Sequence, residues 1–205
     1  MKRAWLLCAL APLLALQGCP VLLVGTAAVT AFDRRTTSAI YQDENMALAI
    51  LDRISERFGS LTHVNVTPYN RVILLTGEAP DEATRSAVEA EVREIANVRG
   101  VVNEIQIAPP SSLAARANDS LITSRVKARF LDVDKFNAVH VKVVTEAGVV
   151  YLLGIVTEQE ANDAAEIART TAGVIKVVKM FSFCKPTDEL CRPPEPPAQF
   201  SKPAA

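Results

Sequence analysis

One hydrophobic pattern occurs twice in this chain, and that repetition limits what the chain can fold into. In the first copy, Val64-x-Val66 leads through a turn to Val72-Ile73-Leu74-Leu75-Thr76-Gly77. In the second, Val141-x-Val143 leads to Val149-Val150-Tyr151-Leu152-Leu153-Gly154, at a constant offset of 77 residues. An Ala- and Glu-rich stretch follows in each copy and ends in glycine, Pro80 to Gly100 and then Glu158 to Gly173. Here the offset falls by four residues, about one turn of α-helix, so the helix shortens without rotating its buried face. Alternating strands close both copies, Val102 to Ile107 and Ile175 to Phe183.

An amphipathic helix precedes each strand pair. Ile50, Ile54 and Phe58 recur at i, i+4 and i+8 in the first copy, as do Ile122, Val126 and Phe130 in the second. Asn118-Asp119-Ser120 offers a cap to the second helix. The turns are Pro68-Tyr69-Asn70-Arg71 and Glu146-Ala147-Gly148. The predicted class is α+β: two tandem αββαβ sandwiches, each a three-stranded mixed sheet with two helices on one face. Units of about 65 residues are marginal alone, so the two are expected to pack on each other or to fold with help from an anchor.

The start of the chain suggests such an anchor. Lys2 and Arg3 precede an uncharged apolar run, Ala4 to Leu16, and then Leu16-Gln17-Gly18-Cys19. The first part is a secretory signal, and the last four residues resemble a bacterial lipobox. That resemblance implies cleavage before Cys19 and a diacylglyceryl group on its thiol. An uncut segment running on through Val21 to Phe32 could span a bilayer, although Pro20 and Gly25 interrupt it. One acyl chain binds only reversibly, at roughly 0.8 kcal/mol per buried CH₂. Lipoproteins of this class carry two or three, and no transmembrane helix is then required.

Residues 1–18 are thus expected as signal peptide, 19–44 as lipidated segment, 45–108 and 118–184 as domains, and 109–117 as linker. Residues 185–205 are expected as a Pro-rich disordered tail. The formal charge of −1 and scattered basic residues give no reason to expect a nucleic-acid partner. Cys184 and Cys191 are expected to form a local disulfide in an oxidising compartment. A metal pair there would need two further ligands, and none lies nearby.

Both copies resemble the BON domain (bacterial OsmY and nodulation): a hydrophobic helix, V-x-V, a turn, V-x-L-x-G, a charged Ala-rich helix, then G-V-x-x-V. The second is the cleaner fit, with Gly173-Val174-Ile175-Lys176-Val177-Val178. A lipobox followed by two such domains resembles a narrower group of outer-membrane lipoproteins, and Gly25-Thr26-Ala27-Ala28-Val29 and Asn118-Asp119-Ser120-x-Ile122-Thr123 share in the likeness. The resemblance implies a periplasm-facing outer-membrane protein that supports envelope integrity. It also implies that the first helix of the second domain binds anionic phospholipid. Two departures stand out: Leu121 occupies a position where that group carries Trp, and the Cys184/Cys191 tail has no counterpart.

Helix geometry bears on the lipid expectation. With Ile122, Val126 and Phe130 buried, the opposite face carries Leu121, Ser124, Ala128 and Leu131, flanked by Arg125 and Lys127, with Arg129 nearer the buried side. An outward apolar strip edged with basic residues is what an interfacial surface needs. The equivalent face of the first helix is read as Ala49, Asp52 and Glu56, and so as acidic. The bland alternative is that Leu121 and Leu131 pack on the first domain or stand singly exposed.

No catalytic set is expected. His63 and His140 occupy matched repeat positions, which suggests structure. There is no G-x-S-x-G elbow and no Gly-rich phosphate loop after a strand. Asp81, Glu82, Glu89, Glu91, Glu94, Glu158, Glu160, Asp163 and Glu166 fall at helical spacings and read as solvated faces. No cofactor, metal or small-molecule substrate is expected. The expected partner is an anionic phospholipid membrane. The alternative is an adaptor that binds an envelope protein, such as an assembly or division complex.

Overall fold

The computed structural model describes residues 33–59 and 62–191. Cys19, the expected signal segment and residues 192–205 lie outside them. In the first repeat, α1 (Thr37–Phe58) is followed by β1 (His63–Tyr69), β2 (Val72–Ala79), α2 (Glu82–Arg93), β3 (Gly100–Asn103) and β4 (Gln106–Ile107). The second repeat consists of α3 (Leu113–Leu131), β5 (Val141–Glu146), β6 (Val149–Val156), α4 (Glu158–Arg169) and β7 (Lys176–Phe183). Each hairpin is antiparallel, and the strand after the second helix returns parallel to the central one.

Both hairpins turn through residues with positive φ, Asn70 and Arg71 in the first and Ala147 and Gly148 in the second. This is the geometry of a two-residue turn matched to strand twist; asparagine and glycine accept it readily, while Arg71 and Ala147 are strained by it. A buried aspartate on the first helix of each repeat holds the turn. The Asp43 carboxylate accepts the backbone N–H groups of Asn70 (2.7 Å) and Arg71 (2.9 Å). Asp119 accepts those of Ala147 and Gly148, both at 2.9 Å. The motif glycines have a separate role: a Cβ at Gly77 would collide with the carbonyl oxygen of His63, and one at Gly154 with that of His140. Glycine there lets the edge strand start close against the central strand.

Several element boundaries differ from the sequence reading. α1 begins at Thr37, capped by Thr36, and α3 begins at Leu113, capped by Ser112, inside the stretch read as linker. Asn118-Asp119-Ser120 therefore lies within the helix and is not its cap; Asp119 is committed to the hairpin turn. The last strand of the first repeat is split into β3 and β4, both parallel to β2, so that sheet counts four strands instead of three. Asn103 breaks it. Its side chain accepts from the Ile105 N–H and donates to the Arg85 carbonyl and Glu89, which turns Ile105 into the core. Residues 185–191, read as the start of the disordered tail, form a turn and a 3₁₀ segment (Glu189–Cys191). There Cys184 and Cys191 are joined, with Cα atoms 6.1 Å apart.

Three apolar layers follow from strand alternation. Ile73, Leu75 and Ala79 of β2 face the helices of the first repeat, meeting Met46, Ile50, Ile54, Val88 and Val92. Val150, Leu152 and Val156 of β6 face Ile122, Val126, Phe130, Ala164 and Ala168. The remaining central-strand residues, Leu74, Tyr151, Leu153 and Ile155, join Tyr69 in a third cluster shared by the two sheets. The domains therefore meet sheet face to sheet face, with helices on the outside. Each large apolar side chain so buried contributes roughly 1.5–3 kcal/mol.

Polar ties register the two halves. Buried Glu146 accepts from Asn65 Nδ2 (2.7 Å) and Thr76 Oγ1 (3.2 Å) of the other domain. Arg34 forks onto Glu160 (2.6 and 2.9 Å) and also donates to the Ile155 carbonyl. Burial pushes the Glu160 carboxyl up, but Arg34 and the Thr157 backbone N–H outweigh it and hold the group below its ordinary value of 4.5.

Two outcomes follow. Asp119→Ala strands two turn N–H groups and costs about 2–4 kcal/mol in urea unfolding, at nearly constant m. A depressed carboxylate stabilises fully above its unfolded pKa and loses that contribution as pH falls through the folded one. The stability gap between the parent protein and Arg34→Gln is therefore constant at neutral pH and narrows below about pH 4.5.

Candidate membrane-facing surface

The sheet-to-sheet packing turns α3 outward. Its buried side is Asp119, Ile122, Val126 and Phe130, and all six residues of the expected lipid face, Leu121, Ser124, Arg125, Lys127, Ala128 and Leu131, are exposed. Leu121 is 48% and Leu131 76% accessible, so neither is covered by the first domain. The serine adds less polarity than its identity suggests. Ser124 Oγ donates to the Ser120 carbonyl at 2.9 Å, which returns its hydrogen to the helix backbone.

The basic residues divide by role. Arg129 donates to the Ile167 carbonyl (2.7 Å) and to the hydroxyls of Thr170 and Thr171, at the end of α4 where unpaired carbonyls concentrate negative charge. It is a structural tie between helices. Arg125 makes one long contact, 3.4 Å to the Ala172 carbonyl. Among the described residues neither Arg125 nor Lys127 forms an ion pair, so both charges are available to a ligand.

The comparison with the first domain changes once the helices are superposed through their turn-binding aspartates. Asp43 corresponds to Asp119, so Met46, Ile50 and Ile54 match Ile122, Val126 and Phe130. Hydrophobic spacing alone pairs Phe58 with Phe130 and so places the two helices one helical turn out of step. The counterparts of the six lipid-face residues are Asn45, Leu48, Ala49, Leu51, Asp52 and Ser55. That face is not simply acidic, as Ala49, Asp52 and Glu56 suggested: Leu48 is 68% accessible and Leu51 is also exposed. What distinguishes the domains is cation supply. The nearest arginines of α1, Arg53 and Arg57, are both tied to Glu91 of α2.

Other residues singled out in the sequence are absorbed by structure. His63 Nδ1 lies 2.9 Å from buried Glu78, and His140 Nδ1 lies 3.7 Å from Glu160. Glu91 and Glu160, read as solvated, are interior ties to Arg53, Arg57 and Arg34. Asp81 caps α2, while Glu82, Glu89, Asp163 and Glu166 pair with Arg85, Arg93, Lys135 and Arg169. Among the described residues no cluster of His, Cys, Asp or Glu could hold a metal, and no helix is long and apolar enough to cross a membrane.

Two surface features had no signal in the sequence. A groove of about 490 Å³ lies between the domains, bordered by β1 and β5, each paired on one side only among the described residues, and by Leu51, Arg116, Ser120 and Thr123. Juxtaposition of distant segments creates it. Ile175, at the foot of β7, is 80% accessible; alternation assigned it to a strand and could not show that it stands clear of the sheet.

The BON-domain pattern matches residues 42–109 and 118–185. Outer membrane lipoprotein DolP of Haemophilus influenzae is 34% identical over 173 residues, covering 82% of this chain and 90% of that protein. A 21 kDa hemolysin of Actinobacillus pleuropneumoniae is 37% identical over 58% of this chain and 62% of its own length. Osmotically-inducible protein Y of Escherichia coli is 32% identical over 68% of this chain and 69% of its own length.

Proposed function

The chain belongs to the BON-domain family, as a lipid-anchored outer-membrane protein with two such domains, and we propose that its second domain binds anionic phospholipid through the outer side of α3. The observation that carries this reading is one exposed helix face on which Leu121, Ala128 and Leu131 are edged by Arg125 and Lys127, neither of them ion-paired among the described residues. Apolar side chains at the acyl boundary gain burial, and each cation near an anionic surface contributes roughly 1 kcal/mol. Leu121 supports this less strongly than a tryptophan would, because it lacks an N–H for the headgroup region.

In this reading Cys19 bears the acyl chains and holds the protein at the periplasmic side of the membrane. The anchor fixes residence, and α3 selects anionic regions of the lipid surface. Envelope integrity then depends on where the protein gathers. Cys184 and Cys191 form a structural disulfide that closes the short loop after β7.

A second reading rests on the inter-domain groove. Its borders are β1 and β5, each of which has a strand neighbour on one side only among the described residues, an arrangement to which an extended segment of another protein can add. An envelope-protein adaptor of this kind needs no direct lipid contact.

Vesicle co-sedimentation of the unlipidated mature protein separates the two. Sedimentation with phosphatidylglycerol vesicles, absent with purely zwitterionic ones, is expected of the lipid reading. Leu121→Asp abolishes it, and Arg125→Glu or Lys127→Glu each weakens binding at least about fivefold. A Leu121→Asp protein that still sediments as the parent does would sink the lipid reading and leave the groove.

A further inference from the structure

The charges and exposed side chains around α3 are unevenly distributed along its length, and this bears on how the protein meets a lipid surface. At the C-terminal end, Leu131 is followed by Asp132 and Asp134, both exposed. An anionic surface repels that end. At the level of Leu121 the neighbouring element is the α4–β7 loop. Arg125 reaches the Ala172 carbonyl, and Gly173 lies so close to Ile122 that a Cβ there would stand 3.0 Å from Ile122 Cγ1. The Ile175 N–H donates to the Gly148 carbonyl at 2.9 Å, and the Ile175 side chain lies over the hairpin turn. Ile175, 80% accessible with exposed Lys176 next to it, is thus carried by the loop that meets α3 at Ile122 and Arg125, on the stretch of helix that also bears Leu121.

The only carboxylate of α3 at this end, Asp119, is buried and spent on the two turn N–H groups. Lys176, like Arg125, forms no ion pair among the described residues. The foot of the second domain is therefore an apolar pair, Leu121 and Ile175, set around two unspent cations. The opposite end of the same helix is apolar but acidic.

We propose that the lipid-contacting surface is this foot, made by Leu121 and Arg125 of α3 together with Ile175 of the α4–β7 loop and Lys176 at the start of β7, and that the domain docks tilted, with Leu131 held away from the bilayer. The proposal rests on the lipid reading above and adds to it a second element, an orientation and a residue with no part in the helix face. Its occupant is an anionic phospholipid surface, chosen by charge complementarity and by continuity with the α3 face.

Tryptophan scanning tests it in the full-length lipidated protein, because the single tryptophan, Trp5, lies in the expected signal segment. Leu121→Trp, Ile175→Trp and Leu131→Trp proteins are reconstituted into phosphatidylglycerol-containing vesicles, with and without bromine on the acyl chains. Ile175→Trp and Leu121→Trp are expected to shift their emission to the blue and to be quenched by the brominated lipid, while Leu131→Trp keeps its solvent-exposed spectrum. Adding Lys176→Glu to the Ile175→Trp protein is expected to diminish its quenching. Quenching at Leu121 and Leu131 but not at Ile175 overturns the tilted foot and leaves the helix-face reading intact. Quenching at none of the three overturns both.

Discussion

The layer between the two sheets governs the rest of this molecule. Leu74, Tyr151, Leu153 and Ile155 lie on the faces of β2 and β6 that the repeats' own helices do not cover, and each sheet buries them against the other. A unit of this size with one sheet face open would be marginal. Joining the open faces removes that exposure and leaves the four α-helices of the described residues on the outside. A helix can then present a face to a membrane without competing with the core. Burial also shapes the polar groups trapped in the layer: the Tyr151 hydroxyl is pushed well up from its usual pKa, first by burial and then by Glu104 nearby, and stays a neutral donor.

Within each repeat a second constraint sets the register of helix on sheet. Asp43 and Asp119 each accept two N–H groups from a strained turn, and that fixes which residues of the helix point inward. Hydrophobic spacing cannot supply the same information, since a shift of one turn keeps every apolar residue on the same face. This is why Phe58 could be matched to Phe130 and the first helix judged acidic. The aspartates show instead that the two outer faces are both partly apolar and differ in unspent positive charge. Arg53 and Arg57 are spent on Glu91, whereas Arg125 and Lys127 are not spent on any carboxylate among the described residues.

The same distinction between spent and unspent charge separates architecture from candidate function elsewhere. Glu160, Glu146 and Arg129 have the residue types a binding site might use, yet each is consumed by a tie between elements. Lys142, at the domain junction, has its pKa lowered by burial first and by Arg35 second. Glu160, Glu146 and Lys142 tie the two domains to each other, and Arg129 ties α3 to α4 within the second. On α3 and at the foot of β7, Arg125, Lys127 and Lys176 form no ion pair among the described residues.

The sequence alone determined the number of repeats, their element order and the buried side of each helix. All of these come from local periodicity, which survives without knowledge of contacts. It also determined the exposed face of α3, because the inward residues of a regular helix define the outward ones. The unbroken apolar runs Val72–Leu75 and Val149–Leu153 carried a further signal, that both faces of the central strands are buried. Tertiary structure decided what covers the second face, how Asn103 splits a strand, and which loop meets α3 at Ile122 and Arg125. It also decided that Arg34, Arg53 and Arg57 are neutralised, since their carboxylate partners, Glu160 and Glu91, lie far away along the chain. No window of local sequence contains both members of such a pair.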